Sequence, residues 1–121
     1  MILIDTSVWI DHFRGRSSHL VGLLERGEVL GHAWVTGELA LGRLRRRTEI
    51  LRMLGQLPQA PVATPAELLA FIKGHELFGH GIGYVDAQLL AATRLAEAAQ
   101  LWTRDRRLQT AAGRLGVAYA Y

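Results

Sequence analysis

The first five residues place the strongest constraint on the fold of this chain. Residues 1–4 are all apolar, and an acid follows at once at Asp5. A short apolar run without polar alternation is typical of a parallel strand buried on both faces. Thr6 and Ser7 then continue a polar segment of the kind that begins helices. The chain therefore opens as a buried strand joined directly to a helix, and such a strand requires other strands beside it.

The same alternation of short apolar runs and helical patterns continues to the end of the chain. Strands are predicted at 1–4, 29–34, 62–63, 101–103 and 117–121. Helices are predicted to begin near 6, 18, 36, 49, 64, 85 and 106, and the fifth and sixth to extend to about 78 and 98. Thr64, Pro65 and Glu67 form a capping box at the fifth helix start. This order predicts an α/β sandwich around a mostly parallel sheet.

Length and composition bound the architecture and exclude several kinds of site. The chain has 121 residues, half of them hydrophobic and 21% charged, without a linker or a repeat, so a single domain over 1–121 is expected. It has no cysteine, which excludes a disulfide scaffold, a thiolate metal site and a cysteine nucleophile. No signal peptide or membrane-spanning segment is recognisable, so a cytoplasmic location is expected.

The positive charge of the chain comes almost entirely from arginine. Net charge is +3, and 13 of the 14 basic residues are arginines, with Lys73 the exception. Guanidinium groups suit bidentate contacts with phosphate. A genome rich in arginine codons would produce the same composition, so both interpretations stand at this point.

Carboxylates follow the predicted strands or begin the predicted helices. Asp5 comes directly after a strand candidate and Asp105 two residues beyond another, whereas Glu38 and Asp86 are predicted to lie in first turns of helices. Ligands of open α/β sheets bind at the carboxyl ends of the strands, so these acids are expected to converge there. Taken singly, each acid has a simpler explanation as a helix cap or a partner of the helix dipole.

A cluster of carboxylates needs a counter-charge, because like charges repel and raise one another's pKa. With only oxygen ligands available, Mg²⁺ or Mn²⁺ is the natural ion. Such a site activates water and polarises phosphoryl oxygens. The predicted chemistry is hydrolysis of a phosphate ester.

Four segments together resemble the successive motifs of a PIN-domain protein, and their order and spacing are similar to those of the VapC ribonuclease toxins. They are Ile-Leu-Ile-Asp-Thr-Ser-Val-Trp-Ile-Asp at 2–11, Thr-Gly-Glu-Leu at 36–39 with Gly42, Val-Asp-Ala at 85–87, and Thr-Arg-Asp-Arg-Arg-Leu at 103–108. The resemblance implies a three-layer α/β/α sandwich with a short-stranded sheet. It further implies a metal-dependent endoribonuclease toxin, paired as a homodimer and inhibited by a VapB-type antitoxin.

The resemblance also assigns roles to individual residues. The family's acidic quartet falls on Asp5, Glu38, Asp86 and Asp105, with Asp5, Asp86 and Asp105 as metal ligands. Ser7 and Thr103 match hydroxyl positions that support the cluster. Thr6 is expected to cap the first helix, and Asp11 to be a surface residue.

Arginines near these acids are candidates for phosphate contacts. Arg104, Arg106 and Arg107 flank Asp105, and Arg45 is expected on the same helix face as Glu38, seven residues further on. Each of them has an alternative role, either on a solvated helix end or in neutralising the acids. An antitoxin helix is expected to cover an apolar surface on the first two helices. That surface comprises Trp9, Phe13, Leu20 and Leu24.

Two other functions are compatible with parts of the sequence. A catalytically idle PIN-like module would act as a regulator that binds RNA or protein, and an incomplete acidic set would mark it. The complete quartet favours the enzyme. A metal-free ribonuclease would instead use His75 and His80 as an acid/base pair.

Overall fold

The computed structural model describes all 121 residues and places three parallel strands at its centre. They are β1 (Ile2–Ile4), β2 (Val29–Leu30) and β3 (Gln100–Trp102), in the order β2-β1-β3. In this register Leu3 pairs with Leu30 on one side and with Leu101 on the other. The predicted parallel, short-stranded sheet is confirmed.

Seven helices surround this sheet. They are α1 (Thr6–Gly15), α2 (Ser18–Glu25), α3 (Ala33–Leu41), α4 (Arg47–Gln56), α5 (Pro65–Gly74), α6 (Tyr84–Leu95) and α7 (Arg106–Arg114). All three residues of β1 are buried, as the apolar run predicted, so both faces of the central strand are covered. The predicted α/β/α layering is thereby confirmed. None of the helices has both the length and the apolar character needed to cross a membrane.

The second strand is much shorter than predicted. It ends at Leu30, because His32 forms the N-cap of α3 and its Nδ1 accepts the Trp34 N–H at 3.0 Å. The prediction of a strand to Trp34 and of a cap at Thr36 was therefore wrong, and Glu38 lies in the second turn of α3 rather than in its first. Serine, threonine and the acids dominate N-caps, so a histidine gave no comparable signal.

Two further predicted strands, at 62–63 and 117–121, are absent as strands. The sheet instead extends by one isolated bridge at each edge, between Gly31 and Gln59 and between Leu101 and Ala118. Pro58 and Pro61 flank the first bridge, and proline cannot donate to a ladder. Only Leu101 of β3 pairs with the last segment, since its N–H donates to Val117 O and its carbonyl accepts the Tyr119 N–H.

Two helices end earlier than predicted, at left-handed turns. α5 stops at Gly74, and Glu76 adopts φ of 52°. α6 stops at Leu95, and Ala98 adopts φ of 55° just before β3. Residues other than glycine rarely take this conformation, so local composition did not reveal either turn.

Candidate active site

Asp5 stands at the centre of the site, directly after β1. It is buried, with 6% of its surface exposed, and serves as the N-cap of α1. Its Oδ1 accepts the Thr6 N–H at 2.8 Å, and its Oδ2 accepts the hydroxyls of Ser7 at 2.8 Å and Thr103 at 2.6 Å. These three hydrogen bonds fix the direction of the carboxylate.

Thr6 connects Asp5 to Glu38. Its backbone N–H binds Asp5, and its hydroxyl donates to Glu38 Oε1 at 2.6 Å. The expectation that Thr6 caps the helix was wrong, because Asp5 takes that position and leaves the threonine hydroxyl free to reach α3. This bridge spans 32 residues of sequence, so no local pattern could indicate it.

Thr103 connects Asp5 to Asp105. Its hydroxyl donates to Asp5 and accepts the Asp105 N–H at 3.1 Å. Asp105 in turn caps α7, since its Oδ1 accepts the Leu108 N–H at 2.9 Å. The Ser7 hydroxyl accepts the Arg104 N–H at 3.1 Å, which joins α1 to the same turn. Glu38, Asp5 and Asp105 thus belong to one continuous hydrogen-bonded network.

Asp86 approaches the network from α6. Its Oδ2 accepts the Gly83 N–H at 3.1 Å across the first turn of that helix. Burial raises the pKa of Asp86, and the negative charges of Asp5, Asp105 and Glu38 raise this pKa further. The four predicted acids therefore meet at one edge of the sheet and repel one another.

The four carboxylates share one edge of the sheet, but they do not form a ready-made metal site. No three acidic or histidine side chains lie close enough together to coordinate one ion in this conformation. The donor set nonetheless suits a hard divalent cation, because it offers oxygen alone. Hydrogen bonds engage only one oxygen each of Glu38, Asp86 and Asp105, so each has a second oxygen for a ligand.

The arginines predicted to bind phosphate have different surroundings. The Nε of Arg104 lies 2.6 Å from Asp11 Oδ2, and its guanidinium lies over Trp102 at 5.9 Å. Arg106 is exposed at the start of α7. The Nη1 of Arg107 lies 3.5 Å from Gly81 O, a long and weak hydrogen bond.

Arg45 is not on a helix with Glu38. α3 ends at Leu41, so Arg45 belongs to the segment that leads into α4, and the expectation of a shared helix face was wrong. Both residues nevertheless line one groove. Gly42 adopts an extended conformation at the end of α3, and this turn redirects the chain.

The predicted antitoxin surface is mostly core. Trp9 and Leu20 are completely buried, and only Phe13 and Leu24 remain partly exposed. The apolar excess in the first two helices is explained by the sheet, which is covered there by large side chains.

Sequence reasoning missed the ion pair of Asp11 with Arg104, although the exposure of Asp11 was predicted correctly.

The two histidines considered for metal-free catalysis have other contacts. His75 caps α5 and packs against Phe71, with ring centroids 4.6 Å apart. His80 Nε2 lies 3.3 Å from a guanidinium nitrogen of Arg114. Neither is hydrogen-bonded to the acidic network.

The fold and the acidic edge together define a PIN domain. The PIN-domain family model matches residues 2–114, and the chain belongs to this family. Within the family it belongs to the VapC ribonucleases. It is 47% identical over 120 residues to Ribonuclease VapC32 of Mycobacterium tuberculosis, in strain H37Rv and in strain CDC 1551 alike. The match covers 99% of this chain and 97% of the relative.

A solved structure shows the same fold. The crystal structure of FitAcB from Neisseria gonorrhoeae superposes with a TM-score of 0.60 at 22% identity. The alignment covers 98% of this chain and 95% of the other.

Proposed function

We propose that this chain is a divalent-metal-dependent endoribonuclease toxin that hydrolyses phosphodiester bonds of cytoplasmic RNA. The observation that carries the proposal is the hydrogen-bonded network from Glu38 through Thr6, Asp5 and Thr103 to Asp105. Asp86 faces this network closely enough for the other charges to raise its pKa. A relative named as a ribonuclease at 47% identity supports the same chemistry.

Asp5, Asp86 and Asp105 are the residues that would hold the metal ion, with Glu38 completing the site. Mg²⁺, or Mn²⁺ in its place, would polarise a phosphoryl oxygen of the RNA and make a bound water easier to deprotonate. Burial is the main cause of the raised pKa of Asp86, and the charges of Asp5, Asp105 and Glu38 add to it; a bound cation would offset that repulsion.

The hydroxyl groups position the acids that would bind the ion. Ser7 and Thr103 both donate to Asp5 Oδ2, which restricts this carboxylate to one orientation. Thr6 holds Glu38 in the same way. Partners of metal-ligating carboxylates act by this kind of preorganisation. We further propose that Arg106, which is exposed beside Asp105, contacts a phosphate next to the cleaved bond.

Control of the enzyme is proposed to come from a VapB-type antitoxin. A guanidinium group from such a partner would satisfy the carboxylates in place of the metal through charge-assisted hydrogen bonds. A homodimer is also proposed. It is supported by exposed aromatic side chains around one hollow, Phe78 at 65% and Tyr84 at 49%, because exposed apolar patches mark contact surfaces.

The test is cleavage of labelled RNA by the purified chain. Cleavage is expected with Mg²⁺ or Mn²⁺, and is expected to stop with EDTA and to resume when Mg²⁺ is added in excess. Activity that persists in excess chelator would contradict a metal-dependent site and redirect attention to His75 and His80. RNA that is bound and never cleaved under any metal condition would favour the idle regulatory module.

A further inference from the structure

A groove of about 800 Å³ leads away from the acidic edge. It lies between α1 and the segment that joins α3 to α4, and Glu38 forms part of its wall. Its apolar lining is provided by Ile10, Phe13, Leu39, Leu44 and Ile50. A strand that enters the acidic edge therefore has a continuous depression to follow.

Basic side chains border this groove, and three of the four have no acidic partner. Arg14, Arg43 and Arg45 all line it and form no ion pair or side-chain hydrogen bond within the chain. Arg46 lines it as well, and its single ion pair is long and exposed, at 3.8 Å from Glu49. Four guanidinium groups thus surround one depression in a chain whose net charge is only +3, and such a concentration of cations favours an anionic ligand.

The backbone that presents these arginines is itself unusual. Arg46 adopts φ of 53° and ψ of 44°, in the left-handed region, just before α4. An arginine gains nothing locally from this conformation, and such outliers persist where the surroundings or a function require them. Gly42 turns residues 43–45 away from a continuation of α3, and the left-handed turn at Arg46 then begins α4.

We propose that this groove binds the single-stranded RNA that continues from the cleaved phosphate. Arg14, Arg43 and Arg45 contact its phosphates, and Phe13 provides an apolar face for an unpaired base. The inference rests on the proposed ribonuclease function and extends it, because it assigns the path of the substrate. The unpaired cations and the continuity with Glu38 favour a nucleic acid strand over a protein helix, which the apolar lining alone would equally accept.

Two double variants test the charge of Arg43 and Arg45 while the rest of the molecule is left unchanged. R43A/R45A removes two exposed cations that have no partner in the fold. R43K/R45K retains the charge. The charge control is R26A/R94A, because α2 and α6 place these two arginines at the helix ends remote from Asp5 and Asp86. It also removes the Arg26–Glu28 ion pair and the hydrogen bond from Arg94 to Leu115 O, so a change in its folding is read from the melts. Circular dichroism melts establish that each variant is folded.

The measurement is equilibrium binding of a fluorescein-labelled single-stranded RNA by anisotropy, in EDTA and over a series of KCl concentrations. R43A/R45A is expected to weaken binding about 10-fold or more, and to lower the slope of log K against log salt by about 1.4, or 0.7 for each lost contact with single-stranded RNA. R43K/R45K and R26A/R94A are expected to retain most of the affinity and slope.

Binding to R43A/R45A within twofold of the parent, with an unchanged salt slope, would overturn the proposal. If R43A/R45A lost binding to a VapB-type antitoxin while its RNA binding stayed unaltered, the proposal would also be overturned and the groove would be a protein-docking site. Cleavage is not part of the measurement. A chain that binds RNA through the groove and fails to cleave it would contradict only the proposed ribonuclease activity.

Discussion

The Thr103 hydroxyl lies 2.6 Å from Asp5 Oδ2, although the two residues are 98 positions apart in the sequence. Thr103 also accepts the Asp105 N–H, so one buried side chain sets the positions of two acids. Since β1 and β3 are adjacent and parallel, their carboxyl ends bring these residues together. The acidic site is therefore a direct product of strand pairing.

Replacement of Thr103 by valine is expected to lower both the free energy of unfolding and the rate of RNA cleavage. Asp5 is buried and would lose one of its donors, which costs about 1–3 kcal/mol of unfolding free energy. Metal-supported RNA cleavage is expected to fall about 10- to 100-fold, as for other residues that orient metal ligands. Urea unfolding and initial cleavage rates measure the two effects.

The matched control is Thr103→Ser, which keeps the hydroxyl and removes a methyl group. It is expected to retain most of the activity. If Thr103→Val cleaved RNA at the parental rate, the hydroxyl would have no part in positioning Asp5.

Replacement of Asp86 by asparagine is expected to lower the cleavage activity and to raise the stability of the metal-free protein. Burial and the neighbouring acids raise the pKa of Asp86, so its charged form is disfavoured in the folded protein. Above the unfolded pKa of about 3.9 this charge lowers stability. Without metal, Asp86→Asn is therefore expected to raise Tm at pH 7.5, whereas cleavage should fall at least about 100-fold.

Asp11→Asn is the control for Asp86→Asn. Asp11 forms a half-exposed ion pair with Arg104, so its loss is expected to cost less than about 1 kcal/mol and to leave cleavage nearly unchanged. Full metal-dependent activity in Asp86→Asn would remove Asp86 from the metal site. A lower Tm for that variant would contradict the predicted charge repulsion.

His32 is expected to make the fold less stable in mild acid. It is fully buried, and its neutral Nδ1 accepts the Trp34 N–H at the start of α3. Burial lowers the pKa of His32, so the unfolded chain binds a proton more readily than the folded one. Its contribution is complete above the unfolded pKa of about 6.5 and declines as the pH falls below that value toward the folded pKa.

The measurement compares urea unfolding between pH 7.5 and pH 5.5 for the parent and for His32→Asn. Asparagine also caps helices, so it preserves the start of α3 while it removes the titrating ring. The parent is expected to lose more stability than the variant over this range. Equal losses in the two proteins would show that His32 is not the group responsible.

Ala98→Gly is expected to stabilise the protein. Ala98 adopts φ of 55° in the turn before β3, a conformation that costs a residue with a Cβ about 1 kcal/mol relative to glycine. A gain of this size corresponds to an increase in Tm of about 4 °C in a domain of this length. Differential scanning calorimetry measures it.

Ala66→Gly provides the comparison, because Ala66 is exposed in the first turn of α5 and has no left-handed φ. It is expected to lower Tm, since glycine costs helices up to about 1 kcal/mol. A decrease in Tm for both variants would show that the turn at Ala98 carries no strain.

Much of the acidic site was predictable because its signals are local. Asp5 directly follows one predicted strand, and Asp105 lies shortly after another. An acid that follows a parallel strand lies at the carboxyl edge of the sheet, so both positions could be predicted. Asp86 was recognisable by a different signal, because it lies in the first turn of a helix. Their roles as metal ligands stay a prediction, because neither the fold nor the relatives tests them.

The sequence by itself determined the alternation of strands and helices, the parallel sheet and the edge at which the acids meet. These follow from periodicity and from short-range capping, which depend on neighbouring residues. Only the tertiary structure decided that Thr6 joins Asp5 to Glu38, that Arg104 pairs with Asp11, and how far each strand extends. Such contacts join residues far apart in the chain, and their energies exist only after the backbone has brought the partners together. Local composition is the same whether or not those partners meet.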